Sequence, residues 1–496
     1  MEFPPEKEHR KSPDDDVENL PHSDLPRPTQ QDLLQRSLSA RQVQMIAIGG
    51  TIGTGLFLGT GKSLATGGPA SILIAYAIVG AIVFTTMLAL GEMAAFIPVA
   101  GSFCTFAGRF VDDAFGFALT WNYWFNDAVS TASDLVALQL VLQYWTDNFP
   151  GWALSLIFWV VLIGVNIISV KAYGELEYWL SLLKVITIVV FIVMGIVVNC
   201  GGNETGEYIG GKYWHIPGAP FVGGIGGFAS VFVTASFACK LCLLSILLIG
   251  LNVPYNYPDL NSKETRTSPF TIVFEMTGAK AAGSVINAVI LTSVLSAGNH
   301  ALFAGVRLMY TLAIEGHAPK VLGKLNRNRV PWVAVLVTGF VAGLCFGSSF
   351  IGAGDLWNWL QNIVGVSNQL SWISIGITSI RFRQALALQG KTHLLPFKNW
   401  TYPYGPWICV ILNSFLVLVQ GWSCFSPKFD GVSFVSFYIE LPVMLLMFVV
   451  WKLVKKTRFV GLSEMDLETD VHTIEEKVTE ETGWKTKVKN VVTWLF

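Results

Sequence analysis

The sequence predicts an all-α membrane protein with many spans. Three observations carry this. Charged residues make up only 14% of the 496-residue chain and hydrophobic ones 52%, whereas a soluble domain averages about 25% charged. Apolar runs near the ~20 residues that a helix needs to cross hydrocarbon recur along most of the chain. Polar stretches sit at both ends: residues 1–40, rich in Pro and Asp, read as a disordered cytoplasmic tail without a cleavable signal peptide. Residues 456–496 read as a second cytoplasmic tail, with an amphipathic helix over Val478 to Phe496, and the membrane domain falls at 41–455.

The formal net charge of −1 gives no field for a nucleic-acid partner. The seven cysteines lie in or beside apolar runs rather than in a secreted disulfide pattern. Cys239-Lys240-Leu241-Cys242 has the spacing of a redox or metal pair. No second pair and no strand–helix setting accompany it, so it is read as accidental. No nucleophile elbow, metal-ligand cluster or nucleotide loop occurs, which argues against an enzyme, a cofactor or a metal.

Ten spans are predicted at 43–61, 70–97, 115–145, 152–170, 176–199, 281–310, 331–351, 356–380, 405–424 and 433–451. Between them lies an apolar run over 221–253, whose one charge is Lys240. It is too long for one pass and barely long enough for two. Cytoplasmic loops collect Lys and Arg, and this rule chooses. With the N-terminus inside and two passes, Arg109, Lys171, Lys320, Lys324, Arg327, Arg329, Arg381, Arg383, Lys391 and Lys398 fall inside. Lys62, Lys212, Lys263, Arg266 and Lys428 fall outside. One pass would reverse the ratio. The expectation is twelve spans with both ends cytoplasmic. Trp145, Trp152, Trp214, Trp357, Tyr402 and Trp407 sit near the proposed span ends, as interfacial aromatics do.

The first span reads Ile48-Gly49-Gly50-Thr51-Ile52-Gly53-Thr54-Gly55-Leu56-Phe57. So much glycine at mid-membrane is poor helix material. One reading is a broken helix, whose freed N–H groups at Ile52, Gly53, Thr54 and Gly55 would seat a carboxylate. The other is close helix packing through small residues. Glycine content alone leaves both open.

Resemblance adds to this. Arg41 to Ala47 followed by Gly49-Gly50-Thr51-Ile52-Gly53-Thr54-Gly55-Leu56-Phe57 resembles the opening signature of the fungal amino acid permeases, within the amino acid–polyamine–organocation superfamily. Leu90-Gly91-Glu92-Met93, Pro98 to Phe103, Val170 to Glu175, Ser296-Ala297-Gly298-Asn299 and Glu315 to Lys320 resemble later motifs in the right order. The likeness runs over roughly residues 35 to 460. It implies a LeuT-like fold of two inverted five-helix repeats plus two C-terminal helices. It also implies proton-coupled amino acid uptake at the plasma membrane, with an amino acid, protons and membrane lipid as partners.

Ionisable residues inside spans are costly and are functional candidates. Asp127 and Asp134 are two turns apart, so both lie on one helix face. Asp134 stands where many of these permeases carry Glu, and Asp127 where several carry Trp. They are expected near the substrate's amine, a cationic side chain or the coupled proton, or else in a buried polar network with Asn122 and Asn126. Two such aspartates lean toward basic amino acids such as lysine, and a broad range is equally compatible. Lys184 matches a lysine that in some bacterial relatives is thought to replace a sodium ion, which implies a part in proton coupling; snorkelling is the alternative. Glu92 is read as a gate residue, in an ion pair near the cytoplasmic end. Asn299 and His300 read as polar lining. Asn203-Glu204-Thr205 is a glycosylation sequon on a predicted outer loop.

One stretch departs from the family. Phe228 to Phe237 matches the first half of its broken sixth span, and Leu243 to Leu251 the late part of its seventh. Roughly 35 to 40 residues of the family pattern are missing between them, and with them half of the paired discontinuous helices that such carriers use. Spans six and seven are thus expected to be truncated. Three readings follow: a carrier, a non-transporting nutrient sensor on the same scaffold, or an inert deletion product.

Overall fold

The computed structural model describes residues 40–50, 52–99, 101–146, 150–168, 170–236, 242–258, 260, 268–278, 280–425 and 429–471. The N-terminal tail, the Cys239-Lys240-Leu241 stretch and the Val478–Phe496 helix lie outside them. Secondary structure among the described residues is helical throughout. Seven helices are long and apolar enough to cross a membrane, and an eighth is a bent pair. The expected twelve spans include segments that are helical here but too short or too polar for that test.

The first segment is α1 (Ala40–Gly50), which stops inside the predicted span. The chain resumes as a π-helical turn over Gly55–Gly59 and runs into α2 (Thr60–Phe96). α2 is kinked where Gly68 takes φ +82° ahead of Pro69. A side chain at Gly68 would also meet the Pro220 carbonyl at 2.5 Å, so only glycine suits this corner. A short helix, α3 (Phe103–Phe110), leads to α4 (Asp113–Leu142). Asp112 caps α4 by accepting from the Ala114 N–H at 2.8 Å, as N-cap aspartates do.

Next come α5 (Gly151–Ile168) and α6 (Val170–Asn199), then two short apolar helices, α7 (Gly224–Ala235) and α8 (Cys242–Asn252). At 12 and 11 residues these reach about 18 and 16 Å, roughly half the hydrocarbon thickness. Both outer ends lie at the α2 kink. Val222 N–H donates to the Gly67 carbonyl at 2.9 Å, and Gly250 packs against Pro69. Deeper in, Tyr76 donates to the Thr234 carbonyl at 3.2 Å. α7 and α8 are each too short to cross hydrocarbon alone, and both ends of the 33-residue apolar run lie beside the α2 kink, so the run enters and leaves on one side of the bundle.

The remaining helices are α9 (Pro269–Glu275), α10 (Lys280–Ile314), α11 (Trp332–Ala342), α12 (Ser348–Ile351), α13 (Ala353–Leu388), α14 (Tyr404–Val419), α15 (Gly431–Tyr438) and α16 (Glu440–Lys455). α15 and α16 meet at 43° and together make one span. One large apolar cluster joins residues from most of these helices. Side chains at 156, 157, 160 and 161 of α5 are exposed and apolar, a face that only lipid suits.

A second cluster closes one end of the bundle. Phe96, Phe106, Phe110, Phe382 and Leu386 bury Met465 and Leu467 from the segment after α16. That strap, 457–471, is held through its backbone carbonyls and through ion pairs of Asp466 and Asp470 with Arg109 and of Glu468 with Lys391. Arg109 donates to the Asp466 and Thr469 carbonyls at 3.1 and 2.6 Å. Arg381 donates to the Val460 carbonyl, and Gln389 to those of Leu462 and Met465. Arg109→Ala removes the grip of one guanidinium on two carbonyls and on the carboxylates of Asp466 and Asp470. Limited proteolysis is expected to cut the 457–471 segment faster in that variant, with the transmembrane helices unchanged.

At the same end, His317 Nε2 lies 3.1 Å from Asp113 and its Nδ1 3.4 Å from Glu315. Burial works to lower its basicity, but the hydrogen bonds and charges of Asp113 and Glu315 outweigh this and lift it from 6.5 to about 9. A raised histidine stabilises the fold fully below 6.5, and its contribution is lost as pH rises through about 9. The thermal midpoint is expected to fall across that window, and His317→Gln should flatten the slope.

Candidate functional site

The site is built on the interruption between α1 and Gly55. Ile52 donates to the Gly49 carbonyl at 3.2 Å, and helical bonding resumes with Leu56 and Phe57 both donating to Gly53. Glycine at this break keeps backbones close. A Cβ on Gly49 would sit 1.8 Å from Ser181 Oγ, so α1 lies directly against α6.

Two buried ionisable groups bracket the break. Lys184 Nζ donates to the Gly49 carbonyl at 3.0 Å. Thr54 Oγ1 donates to Asp134 Oδ1 at 2.8 Å. Lys184 is 1% exposed and Asp134 3%. A buried charge persists only with a partner, and Lys184 feels both Glu177 and Asp134 electrostatically. Glu177 is the third buried ionisable group here. It accepts from Ser296 Oγ and Asn299 Nδ2, both at 2.7 Å. Asn299 Oδ1 in turn accepts from Asn166 at 2.8 Å, which fixes its amide. His300 faces Gly50 and pairs with the Tyr173 hydroxyl at 3.2 Å.

Of the residues singled out from sequence, Ile52, Gly53, Thr54, Gly55, Asp134, Lys184 and Asn299 converge on this region. Asp127 does not join them. Its side chain packs on Gly305 of α10, as Asp134 packs on Gly298. The shared face is confirmed, but seven residues of helix separate the two carboxyls by about 10 Å. Glu92 lies elsewhere too, at the far end of α2. It is fully buried, 3.2 Å from the Arg383 guanidinium, and accepts from the Asn399 N–H at 2.8 Å. The expected ion pair is present.

Sequence reasoning passed over Glu177, treating it as the border of a span. The signal was there: Glu177 and Lys184 are seven residues apart, the same two-turn spacing as the aspartates. The sequon forms a tight turn in which the Asn203 amide donates to the Val198 and Glu207 carbonyls. No group of three or more His, Cys, Asp and Glu suited to a metal occurs among the described residues.

A helical membrane bundle with an interrupted span and buried ionisable groups answering the break has the makeup of a carrier-type membrane protein. The comparisons give the family. The amino acid permease model matches residues 42–240 and 241–463, two stretches that abut. A probable amino-acid permease of Schizosaccharomyces pombe is 46% identical, covering 89% of this chain and 97% of its own. The lysine-specific permease LysP of Escherichia coli is 39% identical over 87% and 96%. A general amino-acid permease of Saccharomyces cerevisiae is 36% identical over 91% and 84%. The chain belongs to the amino acid permease family, a family of multi-pass membrane transporters rather than enzymes. The first alignment runs over 492 positions but uses about 441 residues of this chain, so about fifty positions of the relative face a gap.

The contact at Gly49 is testable. Gly49→Ala drives a methyl into Ser181 and should cost about 1–3 kcal/mol, as overpacking does. Its thermal midpoint should drop, and adding Ser181→Gly should restore most of the loss.

Proposed function

We propose that this chain is a secondary active carrier that takes up amino acids, lysine-like ones first among them, across the plasma membrane together with protons. The observation that carries the reading is the interrupted first span with Lys184 on one side and Asp134 on the other. In this scheme the substrate carboxylate binds backbone N–H groups over Ile52 to Gly55. Its amine faces Asp134, which Thr54 holds in place. Lys184, Glu177 and Asn299 relay the coupled proton, and Lys184 releases the Gly49 carbonyl when it gives up its own. Asp127, two turns along α4 on the same face, meets a cationic side chain. Glu92 and Arg383 close the inner gate. The scaffold is the family's pair of inverted repeats with two extra helices, both termini lying in the cytoplasm. Relatives named as lysine-specific and basic amino-acid permeases support the substrate class.

A second reading has its own observation. The half-depth pair α7–α8 and the two-part family match favour a chain that has lost a stretch of the scaffold. Such a chain could bind an amino acid without moving it, or do neither.

Purified protein in liposomes with an inward proton gradient separates these. The carrier reading expects labelled lysine to accumulate, a protonophore to abolish accumulation, and Lys184→Ala to abolish coupling. Thr54→Val should weaken uptake about tenfold, the effect of one lost charge-assisted bond of ~1.4 kcal/mol. Lysine binding without uptake would establish the sensor reading, and absence of both would sink the assignment of this site.

A further inference from the structure

The bent last span holds a carboxyl that the scheme above does not use. Glu440 begins α16 and is 4% exposed, and both of its carboxyl oxygens lack a hydrogen-bond partner. Its depth follows from the chain. Asp430 caps α15 at one end, and Lys452 meets Asp112 at the other. Ten residues of helix separate Glu440 from Asp430 and twelve separate it from Lys452, about 15 and 18 Å respectively. That puts it near the middle of a ~30 Å hydrocarbon layer.

Among the described residues, the elements around it supply no cation. α16 packs on α4, α13 and α15. It runs antiparallel to α4, with Trp451 stacked on Phe117 at 3.9 Å, so Glu440 lies about eleven residues further in, level with Ala128. Asp112 and Asp113 of α4 are engaged at the cytoplasmic end by Lys452, Trp451 and His317. Asp127 turns to Gly305 and Asp134 to Thr54. On α13, Asp355 is in the first turn, Arg381 holds the strap and Arg383 holds Glu92. On α15, Tyr438 donates to the Leu418 carbonyl. Among the described residues an ionised carboxylate here would have neither a countercharge nor a donor, a condition that membrane interiors do not support.

A buried acceptor in need of a donor lies close by. Ser436 of α15 lies four residues before Glu440, across the bend, and accepts from Asn362 Nδ2 at 3.0 Å, whereas Asn362 Oδ1, also buried, has no donor. One helical turn is about 5–6 Å, within the reach of a glutamate side chain. We propose that Glu440 is an intramembrane proton-binding site, distinct from the substrate site, which holds a proton as the carboxylic acid and donates it toward Asn362. The single proton answers two unsatisfied groups on different spans, Glu440 and Asn362. It thereby fastens the bend between α15 and α16 to α13.

A hydrophobic carbodiimide tests this, because it enters lipid and reacts with a carboxyl only when the acid proton is available to it. The full-length protein in liposomes is treated with dicyclohexylcarbodiimide between about pH 5 and about pH 8, and modified peptides are mapped by mass spectrometry. An adduct on Glu440 is expected that is undiminished by saturating lysine and by Lys184→Ala, and absent from Glu440→Gln. No transport enters the measurement, so failure of the carrier reading would leave the result intact. Absence of an adduct at Glu440 across the whole range would overturn the proposal. So would protection by lysine, which would place Glu440 in the substrate site. The wild-type map decides even where the variant fails to fold.

Discussion

A helix that stops in the middle of a lipid layer exposes backbone groups which neither water nor hydrocarbon can satisfy. The break after Gly50 exists only because protein answers it. Lys184 reaches the Gly49 carbonyl from α6, and Asp134 holds Thr54 from α4. Much of the neighbouring architecture follows from that requirement. α6 must press on α1, which Gly49 against Ser181 permits. The face of α6 that delivers Lys184 also delivers Glu177, so α10 must present Ser296 and Asn299 to it.

Much of this was legible in the sequence. Apolar runs located the spans, and glycine content marked the interrupted one, although glycine alone could not separate a break from close packing. The structure shows both: α1 stops at Gly50, and Gly49 lies directly against Ser181. Two-turn spacing placed Asp127 and Asp134 on one face correctly. It could not say which of the two meets the break, since spacing fixes direction around a helix and not the identity of the neighbour opposite. Glu177 was hidden for a related reason. Its side chain is buried by the crossing of α6 and α10, and no pattern within α6 records where α10 passes.

The strap after α16 was invisible for a different reason. Its sequence is polar and charged, and it reads as a tail. It is held through its own carbonyls, which Arg109, Arg381 and Gln389 seek out, through ion pairs of Asp466, Asp470 and Glu468 with Arg109 and Lys391, and through apolar side chains led by Met465 and Leu467. Backbone acceptors carry no residue signature, so a segment recognised through them looks like any other solvated stretch. Arg109 and Arg381 were counted as loop charges that orient the chain; they are also the groups that hold its C-terminal segment in place.

The α7–α8 pair bears on handedness across the bilayer. A stretch that dips inward and returns to its own face adds nothing to the parity of crossings. Every loop beyond it keeps the side it would have had with two complete passes. Loss or shortening of such an element therefore alters the lining of the protein without inverting the rest of it. In this chain the run begins and ends beside the α2 kink, so a change in its length leaves the helices from α9 onward where they were.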